Sequence, residues 1–329
     1  MNFTYTHPSV RLTGRWDTSS TCATATATGS YIEVAFKGRS ATLHFDVYGN
    51  NYPHLHLWIE VDGGAAVEAP IDAYLRVTAK DDGEHVCKII YKGGTEAYSR
   101  WYAPLEGKVS FVGYTAEDCG SLPEDNRKII EFVGDSITEG VLIDVDYFGD
   151  GEDEFPVGQH NRVYQDDVCA TYAWLTAEAL DLRPVFMGYG AVGVTRSGQG
   201  KVPAAQIAYP YNFDASPITR PLPDIIVINH GANDRHASAE LYTNNYGELL
   251  DVIRKMNPNA TIVSLSAFCG GHHEELGKFL EEYNEKNGSC IHFIDSFGWV
   301  SPEPLHPLRD GHTTIAEHLI PLLRKIISK

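Results

Sequence analysis

Basic side chains are scarce in this chain: 26 Lys and Arg stand against 44 Asp and Glu, a formal charge of -18 over 329 residues. That excess repels phosphate backbones and anionic lipid headgroups, so neither nucleic acid nor a membrane surface is expected as a partner. Long apolar runs are also missing, and no stretch has the length of a membrane span. The opening Met1-Asn2-Phe3-Thr4-Tyr5-Thr6-His7-Pro8 carries neither the basic nor the apolar region of an export signal, so a cytoplasmic protein is expected. The six cysteines, Cys22, Cys87, Cys119, Cys169, Cys269 and Cys290, show no CxxC or other metal-ligand spacing. Zinc and redox chemistry therefore lack support, no metal or cofactor is expected, and buried free thiols in a reducing compartment are the simpler reading. With 43% hydrophobic and 11% aromatic residues, what remains is globular composition, and the length suits two domains.

The first third of the chain is a series of short β-rich segments with a period near two. Tyr31-Ile32-Glu33-Val34-Ala35-Phe36 stops at Lys37-Gly38, and Ala41-Thr42-Leu43-His44-Phe45-Asp46-Val47-Tyr48 stops at Gly49-Asn50-Asn51. His56-Leu57-Trp58-Ile59-Glu60-Val61, Tyr74-Leu75-Arg76-Val77, His85 to Tyr91 and Val109-Ser110-Phe111-Val112 continue the pattern. Short strands at this spacing, with no helical periodicity between them, predict an all-β sandwich or jelly roll over residues 1–118.

Residues 119–127 are polar and rich in structure breakers and are expected to be a linker, and from Lys128 to Lys329 strands alternate with helices. Predicted strands lie at 129–134, 184–187, 224–229, 261–265 and 291–294, with helices around 170–180, 238–256, 274–286 and 313–328. This alternation of β-branched runs with helices predicts a three-layer α/β domain around a parallel sheet.

Four short motifs follow the predicted strands of this second half. Ile129 to Val133 ends at Gly134-Asp135-Ser136, placing a hydroxyl at the mouth of the sheet where open α/β folds bind ligands. Ser136 is the candidate nucleophile, the alternative being an ordinary helix N-cap. The second motif, Gly188-Tyr189-Gly190-Ala191-Val192-Gly193-Val194-Thr195, is a glycine-rich turn whose N–H groups can approach an oxyanion. The third, His230-Gly231-Ala232-Asn233-Asp234, offers the Asn233 amide at the same end of the sheet, unless it is a turn and cap. The fourth, Glu303-Pro304-Leu305-His306-Pro307, places an imidazole on a proline-flanked loop, with Glu303 three residues ahead of it. His312 is expected to be a structural hydrogen-bonding residue, and His272 and His273 a polar loop.

Serine, glycine, asparagine and histidine in this order resemble the four blocks of the SGNH (GDSL) hydrolase superfamily, over roughly residues 128–329. The resemblance implies Ser136 as nucleophile, His306 as base, and the Ser136 N–H, the Gly193 N–H and the Asn233 side chain as oxyanion donors. Gly190 competes with Gly193 for its role. Where the family usually has Asp, this sequence has Glu303, so the site is either a triad with Glu303 or a Ser–His dyad. A jelly roll preceding such a domain, with Arg11-Leu12-Thr13-Gly14-Arg15-Trp16-Asp17 near the start, further resembles carbohydrate esterase family 2. That resemblance implies a cofactor-free acetylesterase acting on acetylated xylo- or manno-oligosaccharides. Gly190, Asp135 and Tyr147 are the candidates for contacting substrate, Tyr147 from the acidic loop after the nucleophile. A lipase, thioesterase or arylesterase using the same residues, or a non-catalytic carbohydrate-binding protein, are the competing readings.

Overall fold

The computed structural model describes residues 1–145 and 159–328. Its first half is antiparallel: β1 (Asn2–Thr4), β2 (Val10–Thr13), β3 (Ala23–Ala25), β4 (Tyr31–Phe45), β5 (His56–Val61), β6 (Val67–Pro70), β7 (Tyr74–Thr78), β8 (Glu84–Gly93) and β9 (Val109–Cys119). The two segments expected at 31–36 and 41–48 are one strand, β4. It continues through Gly38, whose φ of +96° is easily reached only by glycine, and so bends without stopping. Residues 31–37 pair with β8, with β2 alongside 31–34, while residues 40–44 pair with β7 and 41–45 with β9. One strand thus serves both halves of a sandwich whose core gathers Ile32, Val34, Phe36, Leu43, Leu57, Ile89, Phe111 and Tyr114.

The second half is the expected parallel sheet, built from β10 (Ile129–Gly134), β11 (Arg183–Gly188), β14 (Ile225–Asn229), β15 (Thr261–Leu265) and β16 (Ile291–Ile294), in the order β11-β10-β14-β15-β16. A small ribbon of β12 (Tyr211–Phe213) and β13 (Ser216–Pro217) lies apart from it. Helices are α1 (Ser136–Glu139), α2 (Gln159–Gln165), α3 (Tyr172–Ala179), α4 (Ala205–Ala208), α5 (Ala239–Met256), α6 (His273–Asn287) and α7 (Arg309–Ile327). Alternate residues of the central strands face opposite cores, as a pleated strand requires. Ile130, Phe132 and Val227 meet α3 and α7, while Val133, Ile226 and Ile228 meet α5 and α6. Because Gly134 pairs with both Gly188 and Asn229, three strands end at one level. The loops that follow them leave the sheet together, and this builds the site.

The cores of the two halves merge. Tyr31 and Ile90 of the β-sandwich pack with Phe186 and Trp174, and Trp101, on the loop between β8 and β9, is buried among Met187, Val194 and Ile228. Gly29 is needed for this closeness, since a Cβ there would lie 2.3 Å from the Phe186 ring. Replacing Trp101 with Ala leaves a void in the α/β core and is expected to cost about 3–5 kcal/mol in urea unfolding. A loss well under about 1 kcal/mol would mean that the indole contributes nothing to that core.

Candidate active site

The turn from β10 into α1 is tight: a Cβ on Gly134 would lie 2.2 Å from Thr138 Oγ1, so only glycine lets strand and helix meet this closely. Asp135 is the N-cap of α1, its Oδ1 accepting the Ile137 N–H at 3.0 Å. The cap that Ser136 might have provided is therefore supplied by its neighbour. Ser136 is the first helical residue; its N–H has no acceptor among the described residues, and its Oγ lies 2.8 Å from His306 Nε2. An uncommitted N–H at a helix start is a ready donor for developing negative charge.

His306 sits just before α7, and the first residue of that helix fixes the loop. The Arg309 guanidinium grips Asp144 at 2.9 and 2.6 Å and Asp167 at 3.2 Å, tying the histidine loop to the segment that follows α1. Three residues further on, buried His312 accepts the Tyr172 N–H at 3.1 Å, and Tyr172 in turn meets Thr138 of α1 at 2.9 Å. His312 is thus structural, and burial pushes its pKa down to about 3. Burial, reinforced by the positive charge of Arg162, lowers the His306 pKa to about 4, with Glu139 pulling the other way. At neutral pH the imidazole is therefore uncharged, and Nε2 can accept the Ser136 proton.

The structure does not join Glu303 to this pair. Its side chain is exposed, its backbone N–H and C=O are both engaged with the Ser301 hydroxyl, and no carboxylate among the described residues hydrogen-bonds to His306 Nδ1. The expectation from a three-residue spacing fails because this loop turns the Glu303 side chain outward to solvent. What the structure presents is a Ser–His pair.

On the other side of Ser136, Asn233 donates from Nδ2 to the Val192 carbonyl at 3.1 Å and, more weakly, to Asp135 Oδ2 at 3.3 Å. This amide ties the loop after β11 to the residue preceding Ser136. The Gly193 N–H, expected to be an oxyanion donor, instead donates to the Arg196 carbonyl at 3.1 Å. Gly193 is required for another reason, since a Cβ there would lie 2.4 Å from Asp234 Oδ1. Asp234 uses its carboxylate to order the next residues, accepting from the N–H groups of Val194 and Thr195. Gly190 has its N–H turned toward the Glu139 carboxylate and leaves no room for a side chain beside Glu96, so it too offers no donor to substrate.

An N–H between these two glycines, that of Ala191, has no acceptor among the described residues, and Ala191 has a φ of +58°. It stands between two anchors: Gly190 against Glu139, and Val192 against Asn233. The anchors tie this turn to the two ends of α1, to Glu139 directly and to Asp135 through Asn233. A sequence search for glycine misses it, because a left-handed residue that is not glycine leaves no compositional mark. Asp135, expected to contact substrate, is 1% exposed and points inward; burial, with repulsion from Asp234, pushes its pKa up to about 7. Tyr147 lies outside the described residues.

Also missed was the acidic residue that closes α1. Glu139 is 2% exposed and pairs with Arg100 from the β-sandwich, also buried. Their separation of 39 positions gives no local sequence signal. No group of three or more His, Cys, Asp or Glu side chains among the described residues is arranged to hold a metal ion, and all six cysteines are free, with Cys290 exposed.

Comparison with known proteins places this geometry. Residues 132–313 match the GDSL-like lipase/acylhydrolase family. An acetylxylan esterase / glucomannan deacetylase of Cellvibrio japonicus is 26% identical over 292 residues, which cover 82% of this chain and 76% of that protein. The fold is shared with a family two carbohydrate esterase from Cellvibrio japonicus (TM-score 0.80, 21% identity, 100% of this chain and 98% of that one). It is shared too with one from Clostridium thermocellum in complex with cellohexaose (TM-score 0.77, 21% identity, 97% and 99%). With the motifs of residues 134–136 and 306 brought together inside the matched segment, the chain belongs to the GDSL-like lipase/acylhydrolase family and is an esterase.

Proposed function

We propose that the protein is a carbohydrate O-acetylesterase that works through a serine acyl-enzyme, with acetylated xylo- or manno-oligosaccharides as its substrates. The observation that carries this reading is the 2.8 Å contact between Ser136 Oγ and a neutral His306 Nε2, beside two unused backbone N–H groups. The sugar is suggested by the 26% identical relative, an acetylxylan esterase / glucomannan deacetylase, and by the shared two-part architecture.

His306 Nε2 takes the Ser136 proton as Oγ bonds to the acetyl carbonyl carbon, and the carbonyl oxygen becomes an oxyanion. The Ser136 and Ala191 N–H groups receive that charge. Asn233 Nδ2 joins them by giving up its longer contact to Asp135, at 3.3 Å, while keeping the one to Val192. Collapse of the adduct breaks the bond to the sugar oxygen, which leaves with the proton held on His306. Water then loses a proton to His306 as it attacks the acetyl carbon, and acetate departs while the proton returns to Ser136 Oγ.

Four measurements test this reading. On 4-nitrophenyl esters, acetyl is expected to be hydrolysed faster than octanoyl, and Ser136→Ala to lower turnover by about 10⁶-fold; faster octanoyl turnover would favour a lipase or thioesterase instead. Glu303→Ala is expected to change kcat by no more than a few-fold, because its carboxylate is exposed and away from the imidazole; a drop on the order of 10⁴ would restore it as the orienting acid. Finally, kcat/KM is expected to hold down to mildly acidic pH and to fall through about pH 4, where His306 takes up a proton and can no longer accept one from Ser136. An acid limb near the ordinary histidine value of about 6.5 would contradict a desolvated base.

A further inference from the structure

The loop between β8 and β9 reaches out of the β-sandwich and lies against both halves of the catalytic turn. Arg100 on this loop is 1% exposed; its Nη1 and Nη2 engage the two carboxylate oxygens of Glu139, the latter at 3.3 Å. The Arg100 Nε has no partner among the described residues, so among its guanidinium nitrogens only the two facing Glu139 are anchored. The same guanidinium lies 5.1 Å from the centre of the Tyr189 ring, and the Arg100 N–H donates to the Gly200 carbonyl at 2.9 Å. Glu139 ends the helix that Ser136 begins, and its backbone is pressed so closely on β11 that a Cβ on Gly188 would lie 2.6 Å from the Glu139 nitrogen. The Gly190 N–H also faces the Glu139 carboxylate, and a Cβ on Gly190 would overlap Glu96 of the same β-sandwich loop. Thr28, ahead of β4, adds a hydrogen bond to the Glu139 carbonyl at 3.0 Å.

Apart from the Asn233 bridge between Val192 and Asp135, these contacts between α1 and the 189–191 turn pass through Glu139 or the loop that carries Arg100. That spacing separates the two N–H groups of Ser136 and Ala191. We propose that Arg100 is a positioning residue for the esterase: held by the β-sandwich and acting through Glu139, it sets the Ser136 and Ala191 donors at the separation the tetrahedral adduct requires. The inference rests on the serine-esterase reading above and assigns the N-terminal half a part in the chemical step rather than in sugar binding alone. The donors it positions are engaged by the tetrahedral adduct rather than by the ground-state ester, so the effect falls on kcat and leaves KM nearly unchanged.

The control is a second buried ion pair between the halves. Arg15 Nη2 meets Glu131 Oε1 at 2.9 Å midway along β10, with side-chain exposures of 1% and 0%. It is remote from the donors in the topology, since Glu131 lies midway along the strand that ends at Gly134. Arg100→Lys and Arg15→Lys each replace a fork that anchors a carboxylate by a point donor. With 4-nitrophenyl acetate, which carries no sugar, Arg100→Lys is expected to lower kcat by about 10–100-fold at a KM within about three-fold, the scale of an ångström-level misplacement. Arg15→Lys is expected to lower the Tm with kcat preserved. Equal loss of kcat in both, or unchanged kcat in Arg100→Lys, overturns the proposal. Should Arg100→Lys fail to fold, the double variant Arg100→Met, Glu139→Leu removes both charges together, the change least costly in stability. It is expected to show the same fall in kcat, and wild-type kcat in that variant is equally fatal. Ser136→Ala assayed alongside separates the two readings: wild-type turnover there would sink the serine mechanism itself, whatever Arg100 does.

Discussion

Three carboxylates spaced four residues apart, Glu131, Asp135 and Glu139, lie in the strand, turn and helix around Ser136, and all three are buried. Burying an ionised carboxylate costs several kcal/mol unless it is paired or hydrogen-bonded. Each of these has its compensation supplied from elsewhere in the chain. Glu131 meets Arg15, Arg220 and the Tyr209 hydroxyl; Asp135 takes the Ile137 N–H and the Asn233 amide; Glu139 takes Arg100. Two of the three, Glu131 and Glu139, draw a cation from the β-sandwich, so the segment around Ser136 is fully compensated only when both halves of the chain are in place. Removal of one partner strands a charge, which is far more damaging than never having placed the pair.

The same requirement explains why the site looks the way it does around Ser136. A central strand buried on both faces, with an abrupt exit through Gly134, leaves the hydroxyl at the sheet edge with its own N–H unspent. Aligned ends of the neighbouring strands then bring the 189–193 turn and Asn233 to the same level without long-range adjustment. His306 comes from the far edge of the sheet and needs separate anchorage. Arg309 and the stack of His312 on Tyr172, with rings 4° from parallel, provide it. Neutrality of His306 follows from that burial and from Arg162 nearby.

Much of this was readable from local pattern. The five strands and four long helices of the α/β half fall within a few residues of where hydrophobic periodicity and breakers place them, because each is a local pattern with a buried face. Ser136, Asn233 and His306 were legible as polar residues immediately after strands or on a proline-flanked loop. The glycine and the acid were not. Spacing points to Gly193 and Glu303, but which N–H is free depends on a turn in which Ala191 takes the left-handed conformation, and which way Glu303 faces depends on a short irregular loop. Neither is encoded in a period. Arg100 and Glu139 were hidden for a different reason: a pair joined across 39 positions and two sheets leaves no trace in either neighbourhood. In the sandwich, the break expected at Lys37-Gly38 is a bend in one continuous strand, since glycine permits both and only the partner strands decide.

The order of the two halves along the chain takes on meaning from these pairs. Arg15 and Arg100 precede Glu131 and Glu139, so during synthesis the cations and the sandwich that presents them leave the ribosome before the carboxylates they will neutralise. The strand β10 is then the first part of the α/β half to emerge, and a rearranged gene carrying the same two halves in reverse order would encode every contact yet present the carboxylates before their cations.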